Sequence, residues 1–447
     1  MRMTLRRIQT AALLCLLSAA IATPAVAEEE PTLTEIVEIL REKGLLDEDQ
    51  HADLAAKAAK EQDKQDWTDR VSVWGDLRAR FEAFQFEQDI YSRSAGNRLQ
   101  DRYRGRYRGR LNVSGKVASR ATVYLGMASG GADPRSANQT LGSGNDFDRD
   151  EFRFDLAYAT LSPFPDGELP GIENGYLAVD VGKVKNPFIW KQLGLDNLLI
   201  DNDINPEGAN LRITGNAGPV LLFANGGVYV IDENSAAKDP KLMGGQLGGS
   251  LEIVEDVSIG ARGTLYHFFS LDGDFATRGA ANPGGPGGTG GNIVDGLSRR
   301  NGSIQVAETS AFLNIGVSEL FPVLFFGTYA RNLSARNSLV APGVGREDDA
   351  WAAGVFVGDK VTLVRIGFAY YYIEANAIPS MFVDSDTLDG TPNRRGYVAI
   401  VERQLFENVD LVLKGSSIDR IEGGLAFADS GPASDRLRGQ ADLIFKF

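Results

Sequence analysis

From Arg70 onward the chain keeps a period of two. Val71, Val73, Leu77, Ala79 and Phe81 alternate with Trp74, Asp76, Arg78, Arg80 and Glu82. Successive side chains on a strand point to opposite faces, so each such stretch has an apolar face and a polar one. The pattern recurs in sixteen segments, beginning near residues 70, 100, 120, 151, 176, 208, 219, 243, 257, 307, 320, 349, 361, 396, 408 and 434. Most run to about ten residues or more, the length a tilted strand needs to cross hydrocarbon. In the last one Leu437, Ala441, Leu443, Phe445 and Phe447 alternate with mostly polar residues. As an open edge this strand would invite aggregation; paired with the first strand of a closed barrel, it turns its apolar face to lipid.

The links between segments point the same way. Those at 87–99, 129–150, 184–207, 231–242, 271–306, 333–348, 376–395 and 420–433 are long and polar or glycine-rich. The intervening ones are short: Ser119-Arg120, Gly215 to Gly218, Glu255-Asp256, Ser318-Glu319, Gly358 to Lys360 and Phe406 to Asn408, with 163–175 as the exception. Sorting of links by parity is expected of a bacterial outer-membrane barrel with long external loops and tight periplasmic turns. The glycine-rich stretch Asn282 to Asn292 reads as an external loop tip.

The chain starts with Arg2, Arg6 and Arg7, an apolar run from Ala11 to Ala22, and Ala25-Val26-Ala27, the order of a cleavable signal peptide. Cys15 lies inside it, so the mature chain is expected to lack cysteine and disulfides. Loss of the three signal arginines takes the formal net charge from −14 to −17, which argues against nucleic acid as a partner. Residues 28–66 alone read as helix: Thr32 and Glu35 form a capping box, Ile36, Val37, Ile39 and Leu40 a stripe, and Gly44 a stop. A small periplasmic cap or spacer is favoured over an oligomerisation helix, because the stripe is shorter than a coiled coil needs.

Sixteen strands enclose an aqueous channel unless something plugs it, and no segment has the length of a plug domain. Residues 101–111 place Arg102, Arg104, Arg106, Arg108 and Arg110 on one face of the second strand. Lipid charges roughly 2–4 kcal/mol for each arginine near its midplane, so the column must face the lumen. Hairpin pairing brings Arg78 and Arg80 beside it. In one reading the arginines pair with Asp76, Glu82 and acids of an inward loop, holding the wall together without net preference. In the other, unpaired guanidinium groups attract anions.

The 184–207 link carries Asp196, Asp201, Asp203 and Glu207 beside Leu193, Leu195, Leu198, Leu199 and Ile200. Its apolar content suggests that it folds into the barrel and sets these acids opposite the arginines; an external lid is the alternative. The groups Asp146, Asp148, Asp150 and Asp384, Asp386, Asp389 lack the spacing of a dedicated calcium loop and read as solvated acidic faces. No cofactor or metal is expected. Catalysis would have to rest on His267, whose neighbours Tyr266, Phe268 and Phe269 suggest a girdle or rim position, so no enzyme is expected.

The chain resembles the putative porin family of Gram-negative outer-membrane proteins. The resemblance rests on the helical leader, Trp74-Gly75-Asp76-Leu77-Arg78 with its arginine-rich partner, Gly182-Lys183-Val184-Lys185-Asn186-Pro187-Phe188, and Asp201-Asn202-Asp203-Ile204-Asn205-Pro206-Glu207-Gly208. More distantly, the arginine column is similar to that of phosphate-selective porins, although a lysine-rich entry is absent. The resemblance implies a homotrimer.

The fold expected is therefore all-β: a 16-stranded antiparallel transmembrane barrel over residues 67–447, preceded by a signal peptide (1–27) and a periplasmic helical extension (28–66). The function expected is passive diffusion of small hydrophilic solutes or ions across the outer membrane, with selectivity set by Arg78, Arg80 and the column facing the 184–207 loop, and with anion preference on the second reading of the arginines. The alternative is a structural or adhesive surface barrel with an occluded lumen.

Overall fold

A computed structural model describes residues 70–86, 90–91, 98–99, 101–142, 147, 149–194, 197–235, 238–271, 292, 302–318, 321–337, 343–421 and 436–447. In the leader it describes 39–41, 43, 48, 50–52, 54–55 and 57. The signal stretch, Cys15 and the capping residues Thr32 and Glu35 lie outside the described residues, as does the 282–292 tip apart from Asn292. The chain divides into two units, Met1–Asp69 and Arg70–Phe447. In the first, Ile39 to Arg41, Glu48, Gln50 to Ala52, Leu54, Ala55 and Lys57 are helical.

The second unit is a closed antiparallel barrel of sixteen spanning strands, to which the two-residue strand Gln139–Thr140 adds beside Arg106 and Tyr107. They are β1 (Val71–Phe86), β2 (Arg102–Ala118), β3 (Ala121–Ser129), β4 (Phe152–Leu161), β5 (Tyr176–Lys183), β6 (Glu207–Ala217), β7 (Val220–Val230) and β8 (Lys241–Val254). The rest are β9 (Val257–Phe269), β10 (Ile304–Gly316), β11 (Pro322–Asn332), β12 (Asp349–Val357), β13 (Arg365–Ile373), β14 (Arg394–Phe406), β15 (Val409–Arg420) and β16 (Arg436–Lys446). Each strand begins within four residues of its expected start. Every strand pairs with its sequence neighbour, and β16 returns to β1 with Leu77 opposite Phe445 and Phe81 opposite Ala441.

The alternation in the sequence explains the two faces. Leu77, Phe81, Leu247, Leu265, Phe368 and Tyr397 point outward and are exposed, while Arg80, Glu82, Gln246, Arg262 and Thr264 between them are buried inside. Outside β12 to β14, Trp351 stacks on Tyr372 and lies tilted against Tyr370, while Tyr397 stacks on Phe368 and meets Tyr370 edge-on, the kind of aromatic girdle found where a barrel meets a membrane interface. His267 shares the outward parity at the rim, where it stacks on Phe269. Among the described residues, no helix is long and apolar enough to cross a membrane.

The tight turns at one end are 119–120, 218–219, 255–256 and 407–408. Gly218, Asp256 and Asn408 take the positive φ that two-residue turns demand. The link 162–175 is long, as read from the sequence. The link after β12 spans 358–364 rather than three residues, because the Asp359 side chain accepts hydrogen bonds from the amides of Val361 and Thr362 and supports an extra turn.

At the other end, among the described residues, the links L3 (184–206) and L7 (374–393) turn into the barrel. Phe188, Trp190, Leu193, Leu198, Leu199 and Ile200 of L3, with Ile378, Met381, Phe382 and Val383 of L7, join one buried cluster with Tyr229, Tyr266, Phe268 and Phe312 of the wall. Phe188 lies so close to β8 that a side chain at Gly244 would collide with its ring. The backbone of L3 is satisfied from the wall: Arg262 donates to Phe188 O and Asn197 Oδ1, Gln246 to Phe188 O, and Asn225 to Pro187 O. Arg262 is itself paired with Glu308 at 2.7 Å, both fully buried.

The two faces differ in what they tolerate. Leu247→Arg on the outer face of β8 is expected to destabilise the bilayer-embedded protein by about 2–4 kcal/mol, read from a urea unfolding midpoint in vesicles. An unchanged midpoint would mean that this face does not meet lipid.

Candidate functional site

Closure places three strands side by side with their inward residues in register. On β1 and β2, Asp76 lies opposite Arg110, Arg78 opposite Arg108, Arg80 opposite Arg106 and Glu82 opposite Arg104. From the other side β16 sets Asp442 opposite Arg80, Gln440 opposite Glu82 and Arg438 opposite Phe84. The result is one wall rather than one column.

Glu82 is its hub, with no exposed surface. Arg104 and Arg438 both donate to it, the latter at 2.7 Å, Gln440 donates at 2.9 Å, and Arg106 and Arg80 stand at 3.6 and 3.8 Å. A carboxylate offers about four lone-pair sites, of which three are taken by these hydrogen bonds. Arg80 grips Asp442 with two bonds of 2.7 Å, the fork geometry that suits guanidinium to carboxylate. Arg108 pairs with Asp76 at 2.5 Å, Arg110 with Asp203 at 2.7 Å, and Arg78 donates to Asn138 Oδ1 at 2.6 Å. Arg104, Arg436 and Arg438 gather over the Phe84 ring at 5.2 to 5.3 Å, a cation–π arrangement.

Three loops complete the face. Asp386 of L7 accepts from Arg80 at 2.7 Å and from Arg438 at 3.1 Å. Link 130–151 contributes Asn138, together with Ser136, which accepts from Arg106. Its Arg135 donates to Gly390 O of L7 at 2.8 Å. L3 is tied to L7 where Ser385 N donates to Asp201 Oδ2 and Asp201 N donates to Phe382 O. Buried Asn292 bonds Ala375 O and Ile378 O, fastening L7 from a third side.

Of the acids expected opposite the arginines, Asp203 reaches one, at Arg110. Asp201 instead accepts backbone amides from Ser385 and Asp203. Glu207 is a correction: it opens β6 with the outward parity, is exposed, and pairs with Lys183 on β5 at 2.9 Å. Asp196 lies outside the described residues, and Arg102 is exposed at the outer end of β2. A second correction concerns L7. Asp384 is buried and Asp386 is paired with arginines, so this is no solvated acidic face; the apolar side chains of Ile378, Met381, Phe382 and Val383 carry the loop inward. Asp150 is exposed and accepts from Tyr107 and Gln139, while Asp146 and Asp148 lie outside the described residues.

Sequence reading missed Arg436, Arg438, Gln440 and Asp442. Their signal was present, since they hold the polar parity of the last segment. One further acidic group, Asp348, Asp349 and Glu374 at the rim, has carboxylate oxygens close enough to share a metal ion. Arg331 and Arg346 stand 3.3 to 3.6 Å from its aspartates, so the protein answers that charge itself.

Eight arginines of the wall (78, 80, 104, 106, 108, 110, 436 and 438) face six carboxylates (76, 82, 155, 203, 386 and 442). By formal charge that is an excess of two positive charges, which Lys185, Lys414, Asp201 and Asp384 leave unchanged. Burial alone would raise the Asp386 carboxyl, but Arg80, Arg438 and Arg78 override it and hold the group well below the usual carboxylate range.

Such a depressed group contributes stability at and above the ordinary carboxylate pKa of about 3.9, and that stability is lost as pH falls through the lower folded value. Proteolytic protection of L7 is therefore expected to persist from pH 7 down to about 4 and to be lost progressively below it, whereas Asp386→Asn fails already at pH 7. Glu82→Gln leaves several guanidinium groups facing a neutral amide, and is expected to cost about 3–5 kcal/mol by urea unfolding, the usual penalty for breaking a buried pair from one side.

The fold is similar to Pseudomonas putida OprB, with a TM-score of 0.51 at 10% identity over 86% of this chain and 96% of that one. Also similar are the outer membrane channel DcaP of Acinetobacter baumannii (TM-score 0.44, 12% identity, 84% and 97% covered) and a mutant of the Rhodopseudomonas blastica porin (0.43, 12%, 84% and 100%). No curated protein matches the chain. Residues 87–286 match the family described as "Putative porin", the family its sequence motifs resemble, and the barrel built around that stretch is a porin fold.

Proposed function

We propose that the protein is an outer-membrane porin that lets small hydrophilic solutes diffuse passively, with a preference for anions. The observation that carries this reading is the wall of Arg78, Arg80, Arg104, Arg106, Arg108 and Arg110 inside a closed sixteen-stranded cylinder, with Arg102 at its outer end. Cylinders of this strand number enclose water rather than a packed interior. The wall is heavily paired, yet by formal charge it retains a positive excess. Charge of one sign lining a low-dielectric passage concentrates counter-ions there, even though the chain as a whole is acidic.

Two parts of the assignment come from resemblance and location: a homotrimer, and export through the signal stretch 1–27. The alternative, an occluded structural barrel, draws support from the inward packing of L3 and L7.

Liposomes carrying the protein are expected to swell in small hydrophilic solutes; impermeable liposomes would favour the occluded barrel. Under a salt gradient, Arg104→Ala with Arg106→Ala and Arg108→Ala should move the zero-current potential toward cation preference. An unaltered potential would reject these residues as the filter.

A further inference from the structure

A second lumenal surface lies on the arc from β6 to β11, at the short-turn end of the barrel beneath L3. Here a cavity of about 680 Å3 is lined by Gln192 of L3, by Thr214 and Asn216 of β6, and by Ser258 and Asn314 of β9 and β10, around the Phe312 ring. The volume lies within the roughly 300–1,000 Å3 of small-molecule sites. Glu252 is the one charged residue among the described residues that line it. The arginine wall belongs to β16, β1 and β2, and none of its residues reaches the cavity.

The chemistry of the lining differs from that of the wall. Each amide side chain offers two donors and an acceptor, and each hydroxyl can act either way. The side chains of Gln192, Ser258 and Asn314 take part in no hydrogen bond among the described residues, so their valences are available to a solute. Phe312, backed by Trp190 at 5.1 Å, supplies an apolar platform, and Leu221 and Leu324 extend it. Among the described residues that line the cavity, an anion would meet Glu252 and no cation. A solute with many hydroxyl groups at its edge and C–H bonds on its face would meet both kinds of surface.

We propose that this cavity is a binding site for uncharged polyhydroxylated solutes of mono- or disaccharide size, distinct from the arginine wall. The inference deepens the channel reading by naming a class of solute, and rests on it only for purpose, since binding is measurable without transport. Lining amides and hydroxyls favour a sugar over water by the modest net gain of each buried hydrogen bond. The site is therefore weak and reversible, as a passage requires.

The test is calorimetric titration of the detergent-solubilised full chain with maltose, and separately with citrate. Saturable maltose binding is expected, weakened at least tenfold in the Asn314→Leu, Ser258→Ala double variant, with citrate giving no competing signal. Heat-dependent gel mobility verifies that the variant barrel is closed. Absence of saturable binding, equal affinity in the closed variant, or citrate binding as tightly as maltose would each overturn the proposal. Maltose binding in a protein that leaves liposomes impermeable removes the channel reading and keeps the site; permeability without maltose binding does the reverse.

Discussion

The pairing of β16 with β1 is the constraint on which everything else rests. In hydrocarbon each unpaired backbone amide or carbonyl costs several kcal/mol, so a sheet that faces lipid has to close on itself. Closure brings Glu82 to Arg438 and Gln440, more than 350 residues away in the chain. The charged wall is thus a product of the seam. Its hub carboxylate lies on one side of the join, and two of its donors lie on the other.

Closure also explains why the interior is divided. A sixteen-stranded cylinder is too wide for wall side chains alone to fill, and L3 and L7 occupy part of it. Arg262 and Gln246 hold the Phe188 carbonyl on one arc, while Asp386 engages Arg80 and Arg438 on the other. Apolar side chains pack where the loops meet β7 to β14, and charges gather where they meet β16, β1 and β2. Buried ion pairs of this kind add little net stability against an apolar alternative. Their consequence is a fixed geometry with a fixed electrostatic sign.

Most of this barrel was legible because lipid and lumen impose a strict period of two, visible at Leu77 to Glu82 as clearly as at Leu437 to Phe447. Loop parity was legible because two-residue turns need residues such as Gly218, Asp256 and Asn408. Partnership across the seam was hidden, since residues 82 and 438 meet through strand stagger and not through any local pattern. L7 was misread because Asp384, Asp386 and Asp389 drew attention away from Ile378, Met381, Phe382 and Val383, the same apolar signal that identified L3. Glu207 was placed in the lumen because the loop boundary was set one residue too far; as the first residue of β6 it follows strand parity and points out.

Single-channel recording across a planar bilayer under a salt gradient tests the central claim most directly. The account predicts discrete conductance steps with a reversal potential on the anion side, following the positive excess of the wall around Glu82. A silent membrane, or a reversal potential on the cation side, would contradict it.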